Sequence, residues 1–398
     1  MKNPSDEELD VLWSRHHAEW RDPGQVASQW QEAAATDPQL LRYSVRGEWW
    51  DILAAAGITL LVTREYEHLV MSIRVSETGK PAISYFRLPH PSGLAVDRDR
   101  NIVHLASTRN PNQVYELMPV SSILPRLDMK AAPISGRPLV PVRSHFFPGC
   151  LYMHDLALIN GQLHANSVGQ NAIVRLDESG RHKKVWWPRC IETDNGPIFG
   201  QNHIQLNSIA AGTDLQNSYF SASTDTPSAR RPGHQNFPVD KRGIIFSGAT
   251  REPIARGLTR PHSARLHNQK IWVDNSGYGE LGIAEDGKFI SVALLPGWTR
   301  GLCFHKDIAF VGTSRVIPRF RQYAPGLDVD ASICGLHAVN TKSGKTMGSL
   351  IWPYGNQIFA IDFISSQVTS GFPFQAGAKR AMARDKKLFY AFLTEDSQ

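Results

Sequence analysis

The sequence predicts an all-β fold, a single β-propeller of about six four-stranded blades, preceded by a short helical N-terminal extension. From about Trp49 onward, short runs rich in β-branched and aromatic residues alternate with Gly, Asn, Asp and Pro turns. No long amphipathic helical pattern occurs in the sequence between residues 50 and 370. A similar strand-opening segment recurs six times over the same region, and this repetition indicates a propeller.

The first 45 residues have a different hydrophobic pattern, one that is typical of helices. Ser5 and Glu8 have the spacing of a capping box at a helix N-terminus. Apolar and aromatic residues then recur at helical intervals, at Leu9, Leu12, Trp13, His16 and Trp20. A second helical run covers about Pro23 to Leu41. We therefore predict a helical extension over residues 1–45 and a propeller domain over residues 46–398. The extension is expected to pack on the propeller or to form a homodimer.

The six repeated segments each place a polar or turn residue before a short apolar strand. They are SGLAV from Ser92, HDLAL from His154, NSIAA from Asn207, HSARL from His262, RGLCF from Arg300 and FAIDF from Phe359. Their starts lie 62, 53, 55, 38 and 59 positions apart, which suits one blade per repeat. The segment Thr59–Val75 is expected to close the ring with the C-terminal blade. A pair of β-sandwiches does not explain the six openings, a β-helix needs a shorter and stricter period, and five or seven blades also fit the spacing.

Composition and charge exclude several classes of partner. The formal net charge is +6, with Lys and Arg scattered along the chain, so only mild attraction to anionic ligands is expected. The densest basic cluster comprises Lys379, Arg380, Arg384, Lys386 and Lys387. We expect it to form a solvated face of the protein, because no nucleic-acid-binding motif accompanies it. Its four cysteines form no C-x-x-C pair, as is usual in a reducing cytoplasm. No run of 18 apolar residues occurs, so we expect a cytoplasmic protein without a membrane partner.

The repeated openings predict a site at the propeller axis, because the innermost strands of successive blades converge there. His154, His262 and Arg300 are the predicted catalytic residues. Further polar residues are predicted to bind substrate: Ser92, Asn166, Asn207, Asn275 and Gln357. The alternative is that such residues tie blades together, since buried polar groups need hydrogen-bond partners whether or not a ligand is present.

Longer stretches of the chain resemble the DUF4915 family of bacterial proteins. The resemblance is carried by RGLTRPHSARLHNQKIWVDNSGYGELGIAEDGKF from Arg256 and by LLPGWTRGLCFHKDIAFVGTSRV from Leu294. Weaker likeness extends over about residues 90–365. It implies a propeller-like fold without an assigned function. It also implies polar motif positions at His154, Asp155, Asn166, His203, Asn207, His262, Ser263, Gly277, Glu280, Arg300 and Gly301. The chain departs from the family where it has Gln357 and Ala360 in place of an expected Glu and Asp.

Two enzymatic hypotheses follow for the axial residues. In the first, His154, His203 and His262 bind a divalent metal such as Zn, Mn or Fe, with Gln357 or Asn207 as an oxygen ligand. In the second, His154 or His262 is a general base without a metal. In both, Arg300 holds a carboxylate or another oxyanion. Asp155 points to the opposite face of a regular strand, so it is not expected to pair with His154.

The non-enzymatic alternative is a binding or scaffold module for a protein or a carbohydrate. Its candidate stacking platforms are Trp186, Trp187, Trp298 and Trp352, although core packing is the commoner role for such residues. SGYGELG from Ser276 follows a strand with no helix after it, so it is a blade turn and no nucleotide cofactor is expected. A turn-rich stretch over 224–243 is expected either to overhang the site, contributing Arg230, Arg231 and His234, or to be disordered. The preferred prediction is an enzyme of lyase, isomerase or hydrolase type acting on a small polar or anionic substrate.

Overall fold

The computed structural model describes residues 5–20, 36–108, 112–124, 136–200, 202–227, 237–375 and 391–394. Three sequence predictions lie wholly or largely outside these ranges: most of the second helical run, the C-terminal basic cluster, and the loop residues Arg230, Arg231 and His234. No helix within the described ranges is long and apolar enough to cross a bilayer.

The N-terminal part of the described chain is mainly helical. It contains α1 (Asp6–Trp20), α2 (Pro38–Leu41), strand β1 (Ser44–Gly47) and α3 (Trp49–Ala56). The predicted capping box is present, because the Ser5 amide donates to Glu8 Oε2 at 2.8 Å and the Glu8 amide donates to Ser5 Oγ at 3.3 Å. Helix α3 corrects the expectation of strand texture from Trp49: the run WWDILAAA buries Trp49, Ile52 and Leu53, and it ends at the left-handed Gly57.

Six antiparallel sheets form the propeller blades, as predicted. The chain first supplies three strands of the closing blade, β2 (Ile58–Arg64), β3 (Leu69–Val75) and β4 (Pro81–Arg87). Blade 1 comprises β5 (Pro91–Asp97), β6 (Ile102–Ser107), β7 (Asn112–Pro119) and, after the short β8 (Ser122–Ile123), β9 (Leu139–Phe147). Blade 2 comprises β10 (Met153–Ile159), β11 (Gln162–Ser167), β12 (Ala172–Leu176) and β13 (His182–Trp186).

The remaining blades follow the same order, after a hairpin of β14 (Glu192–Thr193) and β15 (Gly196–Pro197). Blade 3 comprises β16 (Leu206–Ala210), β17 (Tyr219–Ala222), β18 (Gly243–Ser247) and β19 (Pro253–Leu258). Blade 4 comprises β20 (Pro261–His267), β21 (Lys270–Asn275), β22 (Glu280–Glu285) and β23 (Lys288–Leu294). Blade 5 comprises β24 (Trp298–His305), β25 (Ile308–Ser314), β26 (Gly335–Asn340) and β27 (Thr346–Ile351), with β1 added at its outer edge.

The two ends of the chain close the ring. Strand β28 (Ala360–Ser365) is the innermost strand of the closing blade and pairs with β2, from Ile58 opposite Ser365 to Thr63 opposite Ala360. Strand β29 (Phe374–Gln375) extends the outer edge of this blade, and β30 (Phe392–Leu393) pairs with β8. The predicted closure by Thr59–Val75 is therefore confirmed.

The six repeated segments all mark the innermost strands. Five of them lie at the openings of β5, β10, β16, β20 and β24, and the sixth begins at Phe359, one residue before β28. These five strands each carry a register shift close to the opening, where the paired ladder is interrupted. Such bulges bend a strand and re-aim its side chains, so the openings are turned toward the axis.

Candidate functional site at the propeller axis

A pocket of about 150 Å³ lies at the end of the axis where the innermost strands begin. Of the predicted site residues, His154, His262, Arg300 and Gln357 line it. Trp298, predicted as a stacking platform, lines it too, together with residues that the sequence analysis did not select, namely Glu65, Tyr66, Thr108, Tyr152, Gln205, Arg260, Ser314, Arg315, Phe320 and Asn356. Blades far apart in the sequence thus bring their openings together at one place.

Two histidines and an arginine of the pocket surround the ring of Phe359. The His154 and His262 rings are stacked with centroids 5.9 Å apart and planes inclined by 20°. The Phe359 ring stands at a steep angle to both, 5.5 Å from His154 and 6.4 Å from His262. The guanidinium carbon of Arg300 lies only 3.4 Å from the centre of the Phe359 ring. This cation–π contact holds a charge in place without neutralising it.

Burial and like charge keep His262 neutral. Desolvation by burial places the pKa of His262 well below its usual value, and the positive charge of Arg300 lowers it further. No described residue forms a hydrogen bond with the His262 ring. A neutral imidazole that faces the pocket presents a ring lone pair to a hydrogen-bond donor of a ligand there.

Buried guanidinium groups give the pocket its positive charge. Desolvation lowers the pKa of Arg300 to about 10 and the pKa of Arg260 to about 10, so both stay protonated at neutral pH. Arg260 lies 4.7 Å from the Tyr323 ring and donates to Gln205 Oε1. The third guanidinium, that of Arg315, donates to the Pro353 carbonyl at 3.1 Å.

The rim of the pocket has an unusual backbone conformation. Tyr152, Gln205 and Arg260 line the pocket with φ values of 49°, 47° and 55°. Each stands two residues before an opening residue, respectively His154, Asn207 and His262. Positive φ is uncommon outside glycine, and such strained residues cluster at ligand sites. A register two residues upstream of each opening is therefore the sequence signal that would have found Arg260.

Four predicted substrate-binding residues make hydrogen bonds within the fold and do not line the pocket. Ser92 Oγ donates to the Met153 carbonyl at 2.7 Å, and Asn166 Nδ2 donates to the Leu206 carbonyl at 2.7 Å. Asn207 Nδ2 donates to the Pro261 carbonyl at 2.9 Å. These three bonds each join one blade to the next. The structure therefore favours the alternative role, in which polar residues at the openings tie blades together.

Asn275 also makes bonds within the fold. Its Oδ1 accepts the Thr259 amide at 2.6 Å and its Nδ2 donates to Glu280 Oε2 at 2.7 Å. Thr259 belongs to the link between blades 3 and 4, whereas Glu280 begins the strand that follows Asn275. Asn275 therefore ties the segment that precedes Arg260 to the start of β22, and Glu280 orients its amide.

The three histidines of the metal hypothesis are not brought together. His203 does not line the pocket that holds His154 and His262, and its backbone amide donates to Asn171 Oδ1 at 3.0 Å in the approach to blade 3. Across the described ranges, no group of three or more His, Cys, Asp and Glu side chains has an arrangement that could hold a metal ion. His203 precedes the opening of its blade by four residues and so lies outside the register that His154 and His262 share.

Asp155 and the tryptophans have structural partners. The guanidinium group of Arg265 forms a bidentate ion pair with the Asp155 carboxylate, with N···O distances of 2.7 and 3.0 Å. Trp186, Trp298 and Trp352 are buried. Trp187 is partly exposed and packs against Phe199 at 5.3 Å. These positions favour core packing for Trp186, Trp187 and Trp352, whereas Trp298 packs against Phe320 and Tyr323 and also lines the axial pocket.

Comparison with known proteins gives the family. A family model described as Domain of unknown function (DUF4915) matches residues 47–371. The chain belongs to the DUF4915 family. No curated protein matches the sequence. Family membership agrees with the resemblance seen in the sequence, and it adds no activity.

Solved structures that resemble this DUF4915 protein share little of its sequence. A chain from a nidogen/laminin complex is 10% identical, with a TM-score of 0.51, over 78% of this chain and 99% of that one. A gluconolactonase from Xanthomonas campestris is 14% identical, with a TM-score of 0.42, over 75% of this chain and 86% of that one. At 10% identity the first likeness shows the fold alone, and the second is looser.

One of the two positions where the sequence departs from the expected family pattern lies in the pocket. Gln357 lines it, and its Oε1 atom is buried without a hydrogen-bond partner among the described residues. Ala360 opens β28, and its amide donates to Thr63 Oγ1 at 2.9 Å. Gln357 therefore presents an uncharged acceptor where a carboxylate was expected.

Proposed function

We propose that this protein is an enzyme that binds a small anionic substrate in the axial pocket and removes a proton from it, or from an attacking water molecule. The proposal is carried by one observation: Arg300 and His262 line the same pocket, and neither side chain forms a hydrogen bond with a described residue. Buried polar groups in folded proteins are almost always hydrogen-bonded, and those left free in a pocket commonly meet a ligand.

The two groups have complementary roles. Arg300 presents planar N–H donors, which suit a carboxylate or another oxyanion, and Arg260 supplies a second charge close by. His262 is neutral at physiological pH, and the negative charge of a bound anion offsets the burial and the arginine charge that lower its pKa, so that the ring can take the proton. The negative charge that develops on the substrate as the proton leaves is stabilised by the fixed guanidinium groups. Lyase, isomerase and hydrolase reactions all contain such a step.

Binding is tested with thermal unfolding of the purified protein against a panel of small carboxylates and phosphate esters. A ligand that binds only the folded state raises Tm, and about 100 times its Kd stabilises by about 2.7 kcal/mol. We expect the rise in the wild-type protein and its loss in Arg300→Gln. Arg181→Gln is the matched control, because the Arg181 side chain is 82% exposed. Equal rises in all three proteins contradict the proposed site.

Chemistry is tested with the anions that bind. Proton NMR in deuterated water detects exchange of a hydrogen next to a carboxylate as well as product formation. We expect turnover in the wild-type protein and a loss of at least about 100-fold in His262→Asn, with binding retained. His182→Asn is the control, because His182 lies on the outer strand β13. Unchanged turnover in His262→Asn contradicts the base, and binding without any turnover favours the binding-module alternative.

Assistance by a divalent metal stays a prediction. His154, His262 and Gln357 are the described pocket residues that carry nitrogen or oxygen donors named in that hypothesis. Metal analysis of the purified protein tests it directly. Less than about a tenth of an equivalent of zinc, manganese or iron excludes a resident metal.

A further inference from the structure

Positively charged side chains outnumber negatively charged ones in the lining of the axial pocket. Among the residues that the structure describes, they are the guanidinium groups of Arg260, Arg300 and Arg315 and the carboxylate of Glu65. Leaving the two histidines aside, these described groups sum to plus two. Glu65 Oε1 already accepts the Thr108 hydroxyl at 2.8 Å, and within the described ranges none of the three arginines has a carboxylate at ion-pair distance.

Each guanidinium group is held in place by uncharged partners. Arg300 lies over Phe359, Arg260 lies beside Tyr323, and Arg315 donates to the Pro353 carbonyl. Arg300 and Arg260 are only 9% and 6% exposed. Buried charges cost free energy unless they are paired with opposite charges. A bound anion would therefore lower the free-energy cost of keeping these guanidinium groups buried.

We propose that the substrate is a small dianion, a class that includes short dicarboxylates and phosphate monoesters. This inference rests on the proposed function and adds the charge of the ligand to it. Two negative charges neutralise the pocket, whereas a monoanion leaves one positive charge buried and unpaired. The volume of about 150 Å³ limits the ligand to a small molecule.

The experiment compares pairs of ligands that differ in charge and little in shape. Malonate and succinate are titrated calorimetrically at mildly alkaline pH and low salt, beside their monomethyl esters, which carry one charge. Inorganic phosphate is titrated separately, so that a phosphate preference is distinguished from a dicarboxylate preference. We expect at least one dianion to bind about tenfold more tightly than a monoanion of similar size, because each added charge meets a fixed guanidinium group.

Two isosteric variants change the pocket charge in opposite directions. Gln357→Glu lowers it to plus one, and Gln357 has no hydrogen-bond partner on Oε1 that the change would remove. Glu65→Gln raises it to plus three, and the amide oxygen of glutamine still accepts the Thr108 hydroxyl. The ratio of dianion to monoanion affinity should fall about tenfold in Gln357→Glu and rise in Glu65→Gln.

The outcomes separate this inference from the proposed function. If anions bind but the esters bind as tightly as the diacids, or if both variants leave the affinity ratio unchanged, the dianion is excluded and the anion site stands. If none of the anions binds the wild-type protein, the proposed function fails and the inference fails with it. A circular dichroism spectrum and a cooperative melt establish that each variant is folded.

Discussion

At the residue scale, the repeat predicted which strand positions face the axis but not which turn residues lie over it. His154, His262, Arg300 and Gln357 were predicted and line the pocket. Glu65 was missed because it belongs to the 3-10 turn Glu65–Glu67 between β2 and β3, where no hydrophobic period marks a direction. Turn residues of this kind acquire their neighbours only when the ring closes, so local sequence carries no signal for them.

A buried histidine away from the pocket makes stability depend on pH. The two ring nitrogens of His337 are hydrogen-bonded to Thr313 Oγ1 at 2.9 Å and to Ser349 Oγ at 2.8 Å. Burial lowers the pKa of His337 to about 4. The unfolded chain, with a pKa of about 6.5, therefore binds the proton first as pH falls. Stability is lost between about pH 6.5 and pH 4, by about 2 kcal/mol on going from pH 7 to 4.5.

The measurement is urea unfolding at both pH values for the wild-type protein and for His337→Gln. The variant removes the titrating group and keeps polar atoms near Thr313 and Ser349, so its loss on acidification should be smaller by about 2 kcal/mol. Other histidines titrate in both proteins and cancel in the comparison. An identical loss in the two proteins would show that His337 is not buried as a neutral group.

At the scale of elements, regular strands were predictable and their irregularities were not. The innermost strands repeat a recognisable pattern, whereas β8, β29 and β30 have two residues each and are too short to show any period. Helix α3 was missed because its eight residues are apolar on most sides, and only Gly57 at its end marks the boundary. The bulges were also invisible, since a single inserted residue changes no composition.

The bulge in β24 gives a prediction for the element that carries Arg300. Gly301 has a φ of 90°, and a Cβ atom there would lie 2.9 Å from Ile361 Cγ1 of β28. We expect Gly301→Ala to lower the free energy of unfolding by about 2–4 kcal/mol through strain and crowding. Because the bulge aims Arg300 at the pocket, the same change should weaken anion binding.

The control for crowding is Gly287→Ala. Gly287 has a φ of 80°, and nothing lies within 4 Å of the position that its Cβ atom would occupy. This variant has the backbone strain alone and should lose about 1–2 kcal/mol, with anion binding unchanged. Equal losses in the two variants would mean that contact with Ile361 is relieved by a small shift of β28, and an unchanged anion affinity in Gly301→Ala would refute the aiming role of the bulge.

At the scale of the whole molecule, the ring arrangement was predictable because six similar openings leave few other architectures. What the sequence could not predict is how the blades are held to one another across the axis. Asp155 of blade 2 binds Arg265 of blade 4 and accepts the Ile209 amide of blade 3 at 2.9 Å. Equivalent serines continue the pattern, because Ser208 Oγ accepts the Ala264 amide and Ser263 Oγ accepts the Gly301 amide.

The Asp155–Arg265 pair should therefore stabilise the ring as a unit. Asp155→Asn keeps the shape and an acceptor for Ile209 but leaves the Arg265 charge without its carboxylate, and removing one partner of a buried pair costs about 3–5 kcal/mol. We expect that loss in urea unfolding, within a single transition, because three blades share the contact. Asp330→Asn is the matched control, since the exposed Asp330–Arg321 pair is solvated and should have little effect on stability. A loss in Asp155→Asn no larger than in Asp330→Asn would show that the blades are held by backbone and apolar contacts alone, and a second transition would show that they unfold separately.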